Sequence, residues 1–152
     1  MIVWRIARQA HRALDGEGAR LYGGRWNPEG RAVVYASATL SLAELEYIDH
    51  LEPRDVPTDL IAMEIEVPER RGDGTRVDPA QFPSGDWRAY PAPEWQAELG
   101  TLWLEDGTFL WMAVPSAIVP EEANVLINPA HPAMPRVRVR SERPFVFDQR
   151  LL

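Results

Sequence analysis

The sequence predicts an α+β fold: a mixed or antiparallel sheet with a few flanking helices. Three observations predict it. Short runs alternate apolar and polar residues with period two, the pattern of half-buried strands. Other runs carry helical starts and stops. The two kinds interleave without a regular βαβ spacing, which disfavours a parallel sheet joined by crossover helices. The 14 prolines suit many short elements joined by rigid loops. At 152 residues the chain fits one domain, 1–152.

Met1 to Ala7 reads as a first strand, with Ile2, Trp4 and Ile6 alternating against Val3 and Arg5. Residues 8–30 read as a short helix or loop leading into a glycine turn. Ala32 to Ser37 is a short apolar strand. Ser37 to Leu51 reads as a helix, with Ser37 or Thr39 as N-cap and Pro53 just beyond its end. Leu60 to Val67 reads as a strand, because Ile61, Met63, Ile65 and Val67 alternate with Glu64 and Glu66. Residues 68–93, rich in Pro, Gly and Asp, read as a long excursion. Pro93 to Asp106 reads as a helix that Gly107 stops. Phe109 to Val114 is an apolar strand ending at Pro115 and Ser116, and Asn124 to Asn128 is another. Arg136 to Arg140 alternates Arg with Val and reads as a last, half-exposed strand.

Composition narrows the function. There are no cysteines, which excludes disulfides, thiolate catalysis and cysteine-based zinc sites and suits a reducing cytoplasm. All 16 basic residues are arginine, so Schiff-base chemistry and a phosphate-binding lysine are excluded too. His11, His50 and His131 lack metal-ligand spacing, so no metal site is expected. A net charge of −7 argues against a general nucleic-acid binder. No membrane-spanning or secretory segment is expected: the apolar run in MIVWRIARQAHRAL is too short. The charge is uneven. Residues 1–31 hold six arginines against three acids, and residues 132–152 hold five against two, while residues 41–69 hold nine acids against Arg54. If the basic ends meet, they form a cationic pocket on an acidic body; otherwise they are ordinary surface ion pairs.

The stretch Gly23-Gly24-Arg25-Trp26-Asn27-Pro28-Glu29-Gly30 is the most informative in the chain. Glycine lets a backbone turn with positive φ or approach a ligand closely. Arginine offers a planar fork of donors that fits phosphate or carboxylate. Tyr35 and Glu46 follow closely. A glycine turn with a fixed cation, then an aromatic ring and a carboxylate, suggests a site for an anionic, ring-bearing ligand such as a nucleotide.

GGRWNPEG, VVYAS, LAELE and the later block VPSAIVPEEANVLINPAHP together resemble the RES-domain family, which is named for an arginine, a glutamate and a serine. The matching positions are Arg25, Glu46 and Ser116. The likeness runs from about Trp4 to about Pro132, and residues 70–105 match none of its blocks. The resemblance implies a fold similar to ADP-ribosyltransferase toxins. It also implies the toxin of a bacterial type II toxin–antitoxin pair, acting in the cytoplasm. NAD would then be a substrate, not a prosthetic group. It would be cleaved at the nicotinamide–ribose bond by hydrolysis, or by phosphorolysis with inorganic phosphate as co-substrate. The implied partner is an Xre-like antitoxin, in a homo-oligomer or a toxin–antitoxin assembly, with no membrane and no direct nucleic-acid contact.

The chemistry suits these residues. Loss of nicotinamide passes through an oxocarbenium-like transition state, which a carboxylate stabilises. Nicotinamide leaves as a neutral ring, so no strong general acid is required. Glu46 takes the carboxylate role; on its helix it lies beside Leu42 and Ala43 and is expected to face a partly apolar cleft. Arg25 is the expected anchor for the pyrophosphate, or else a tie for its own turn. Arg5 is a second candidate cation. Tyr35 is expected to stack on nicotinamide or bond a ribose hydroxyl, or else to fill the core. Ser116 is expected to orient nicotinamide or Glu46 rather than act as a nucleophile, since GxSxG is absent. Gly24, Trp26, Tyr22 and Asn124 complete the candidate pocket, with core packing the alternative for Trp26 and a turn cap for Asn124. His50, four residues from Glu46, is a candidate partner for it.

Two other functions use the same groove: ADP-ribosyl transfer to a protein side chain, and non-catalytic binding of a partner segment.

Overall fold

In a computed structural model, residues 1–52 and 54–152 are described; Pro53, expected to follow the second helix, lies outside the described residues. The elements in chain order are β1 (Ile2–Arg8), α1 (Glu17–Tyr22), β2 (Val34–Ser37), α2 (Leu40–Asp49), β3 (Leu60–Glu66), β4 (Gly74–Arg76), α3 (Glu94–Asp106), β5 (Trp111–Pro115), β6 (Ala123–Ile127) and β7 (Arg138–Phe145). The seven strands form one sheet in the order β4-β5-β6-β2-β1-β3-β7. All neighbours are antiparallel except β4 and β5. The fold is therefore α+β with a mixed sheet.

Local chemistry sets the helix ends. Thr39, not Ser37, caps α2, its hydroxyl accepting from the Leu42 N–H at 3.1 Å. Ser37 closes β2 instead. Gly107, at φ 64°, ends α3 in the left-handed conformation that glycine tolerates without Cβ strain.

Two strands differ from expectation. β4 falls in the supposed excursion: Gly-Thr-Arg has no alternation to betray it, and its pairing with β5 creates it. Gly74 sits under the Trp111 ring, where a Cβ would lie 2.0 Å from ring carbons. β7 begins later than the Arg/Val pattern suggested and extends to Phe145, because β3 pairs with it along its length past a bulge at Glu64/Ile65. Pro144 fits there since β7 is an edge strand.

The sheet buries both faces. One carries Val3, Val34, Ile61, Met63, Ile65 and Ile127. On the other, Ile6, Leu60, Ala62 and Phe145 pack on α2, and Val33, Met112, Val114 and Leu126 pack on Trp26 and Trp103 of α3. α3 approaches the glycine turn closely enough that a Cβ on Gly100 would lie 1.7 Å from the Trp26 carbonyl oxygen. That contact fixes the turn against the helix.

Candidate active site

The site begins where the sheet opens. β1 pairs with β3 at seven positions but with β2 at only one, Trp4 with Ser37. Beyond that pair, Arg5 and Ile6 separate from Ala36 and Tyr35, and all four line a cleft of about 930 Å³. Glu46 and Ala43 of α2 form one side, the glycine turn another, and Tyr90-Pro91-Ala92 the rim. A smaller recess of about 470 Å³ continues past Arg25, His50, Arg88 and Tyr90.

Glu46 is the best-defined group in the cleft. Its Oε1 accepts from the Ser116 hydroxyl at 2.8 Å and from the Asn124 amide at 2.5 Å. Its Oε2 has no hydrogen-bond partner among the described residues. Ser116 is fully buried, and its oxygen also accepts the backbone N–H of Ile118 and Val119, both at 3.0 Å. Its hydrogen-bonding capacity is therefore spent within the protein. Asn124 in turn accepts from the Ser37 hydroxyl at 2.8 Å.

Arg25 lines the cleft but is tied to the wall opposite. Its Nη1 donates to the Trp87 carbonyl at 3.0 Å, the Ala89 carbonyl at 3.2 Å and Gln96 Oε1 at 3.0 Å, and Nη2 donates to Ala89 as well. Gln96, with 0% exposure, also donates to the Trp87 carbonyl, so segment 87–89 is clamped twice. Arg5 donates to the Ala13 and His11 carbonyls, and burial pulls its pKa down against the attraction of Asp15. Neither arginine pairs with a carboxylate among the described residues. Both charges therefore stand uncompensated by an ion pair beside the cleft.

Tyr35 serves the turn. Its hydroxyl donates to Asn27 Oδ1 at 2.7 Å and accepts from the Trp26 N–H at 3.1 Å. Burial raises its pKa well above the ordinary 10.0, against lowering contributions from the Trp26 N–H and Arg25, so the hydroxyl stays protonated. A Cβ on Gly24 would lie 2.8 Å from that oxygen; the glycine makes room for Tyr35 rather than for a ligand. Gly23, at φ 69°, ends α1. Asn27, 1% exposed, completes the turn by donating to the Ala19, Pro28 and Arg31 carbonyls. The Trp26 side chain packs in the core against Phe82 and Trp95. Tyr22 stands at the rim, 82% exposed.

Other expected partners do not meet. None of residues 132–152 lines the cleft, since β7 lies at the far edge of the sheet; the two basic ends build no joint pocket. Several of these arginines pair on the surface instead, as Arg136 does with Asp73. His50 lines the cleft but has no hydrogen bond to Glu46. Sequence reasoning missed Asn27, Ser37 and Gln96 as site-building residues. Asn27 lay inside the glycine motif; Gln96 carried no signal at all.

Residues 2–148 match the RES domain. The chain belongs to the RES domain family. A Prs ADP-ribosylating toxin of Sphingobium sp. (strain YBL2) is 40% identical, with 98% of this chain and 95% of that protein aligned. Toxin Res of Yersinia enterocolitica is 36% identical with 99% of both chains aligned, and Toxin Res of Pseudomonas putida is 39% identical with 99% of both. This RES domain is thus a toxin-type member, similar along its length to named toxins. Its fold is also similar to a chain in the crystal structure of the M. tuberculosis MbcT–MbcA toxin–antitoxin complex. There the TM-score is 0.73 at 16% identity, covering 95% of this chain and 84% of the other. No helix among the described residues is long and apolar enough to cross a membrane.

Proposed function

We propose that this RES toxin breaks the nicotinamide–ribose bond of NAD in the cleft between β1 and β2. One observation carries the reading: Glu46 holds one carboxylate oxygen on Ser116 and Asn124 and leaves the other without a protein partner, beside the cleft. A carboxylate fixed in this way needs no reorganisation as positive charge grows on the ribose, which is how a preorganised charge lowers a barrier.

The other residues take roles that follow from their contacts. Ser116 and Asn124 orient Glu46. Arg25 supplies positive charge to the pyrophosphate while holding the 87–89 wall in place. Arg5 supplies a second cation, with part of its donor capacity left over. Tyr35 shapes the floor and stays neutral. The acceptor is water or inorganic phosphate, and the protein works in the cytoplasm, restrained by an Xre-like antitoxin. The toxin–antitoxin complex found for the fold neighbour supports the existence of such a partner.

The name of the Sphingobium relative favours a second reading, transfer of ADP-ribose to a protein. Incubating purified protein with NAD separates these. Free ADP-ribose indicates water, ADP-ribose 1″-phosphate formed only with added phosphate indicates phosphorolysis, and a mass increment on a protein target indicates transfer. NAD left unchanged under all three conditions rejects the reading.

A further inference from the structure

We propose that Ser37 is a positioning residue for Glu46, acting through Asn124. This rests on the reading of Glu46 as the working carboxylate. Ser37 is 3% exposed at the end of β2, directly opposite Asn124 in the β2–β6 register. Two arms reach Glu46 Oε1, one from Ser116 and one from Asn124. The Ser116 arm is rigid, because two turn N–H groups hold its oxygen. The Asn124 arm ends in a primary amide, whose two ends exchange by rotation about one bond. A carboxylate only accepts, so the NH₂ end must face Glu46 and the Oδ1 end must face away.

The Ser37 hydroxyl, at 2.8 Å, is the donor that holds Oδ1 in that orientation. Rotated by half a turn, Asn124 would set its carbonyl oxygen against Oε1, acceptor against acceptor. The chain Ser37–Asn124–Glu46 thus assigns Oε1 to structure and Oε2 to chemistry. Ser37 edges the cleft but is 3% exposed, and its effect through Asn124 is to keep the carboxylate in one pose.

Substitution at Ser37 with Thr and with Val tests this, because the two side chains have the same shape and only Thr keeps the hydroxyl. In steady-state NAD consumption, Ser37→Thr is expected to retain activity. Ser37→Val and Ser37→Ala are expected to lower kcat about ten-fold, the worth of the Asn124 bond to the charged Glu46 that is lost when the amide turns, with KM for NAD unchanged. In an Asn124→Ala background, Ser37→Ala is expected to cost nothing further, as coupled residues in one network are not additive. Equal kcat for Ser37→Thr and Ser37→Val, or an equal loss with and without Asn124, overturns the proposal. Without turnover, ¹⁵N NMR of the Asn124 side-chain amide reads the same clamp. In the parent protein the amide proton that donates to Glu46 Oε1 is expected well downfield of a free side-chain amide, and in Ser37→Val it is expected to move back toward the free value; an unchanged shift overturns it. A Glu46→Gln variant that keeps full activity defeats the functional reading instead, and the NMR comparison still decides the clamp.

Discussion

Ser116 donates its hydroxyl hydrogen to Glu46 Oε1 at 2.8 Å across 70 positions of sequence. The bond joins the residue just past β5 to the middle of α2 and gives a fully buried serine without a paired base its role, behind the cleft-lining Glu46. Ser116→Ala removes this donor and also the acceptor for the Ile118 and Val119 N–H groups. NAD consumption is expected to fall by about 10- to 100-fold, as for loss of a preorganised donor. The melting temperature should fall as well, by roughly 2–4 °C for about 1 kcal/mol in a chain of this size. A rate assay paired with thermal melting checks both.

Arg25 and Arg5 should separate into different phenotypes. Arg25 holds the Trp87 and Ala89 carbonyls, so Arg25→Met is expected both to raise KM for NAD and to expose segment 85–93 to limited proteolysis. Arg5 bonds the loop at His11 and Ala13 on the other side of the cleft. Arg5→Met is expected to raise KM while segment 85–93 stays as resistant as in the parent. Identical cleavage patterns for the two variants would contradict the wall function given to Arg25.

Asp73 ties β4 to the rest of the molecule through a two-armed bond from Arg136, at 2.9 and 3.2 Å. The Arg136 hydrogen bonds above all, helped by the Arg70 N–H, hold its carboxyl below the ordinary 3.8 despite opposing desolvation. A depressed folded value means the ionised group favours the fold above the ordinary carboxylate range. That contribution is lost as the pH falls through the folded value. The melting-temperature gap between the parent and Asp73→Asn is therefore expected at neutral pH and should close in acid below the ordinary 3.8. A gap independent of pH would show that the charge of Asp73 plays no part.

How much of this was legible beforehand depended on whether a residue's own neighbours in sequence determined its role. β3 announced itself because Ile61, Met63 and Ile65 alternate with polar residues, and α3 because Pro93 and Gly107 bracket it. β4 was silent, since Gly74-Thr75-Arg76 becomes a strand only by lying beside β5. Ser141 to Pro144 carry no alternation, and only β3 makes them strand. In the site, the glycine motif drew the eye to the right place for a partly different reason. Gly24 admits the Tyr35 hydroxyl rather than a ligand. Arg25 and Tyr35 spend much of their bonding on the protein itself, through Gln96 and Asn27, which no local pattern marks. The clamp on Glu46 draws on β2, β5 and β6, and only the sheet order brings those together.

The most direct measurement is the rate of NAD consumption by the purified protein and by Glu46→Gln. The substitution keeps size and hydrogen-bonding reach but removes the negative charge. The account predicts a loss of at least about 100-fold in kcat with little change in melting temperature. A Glu46→Gln protein that consumes NAD at the parent rate would contradict it.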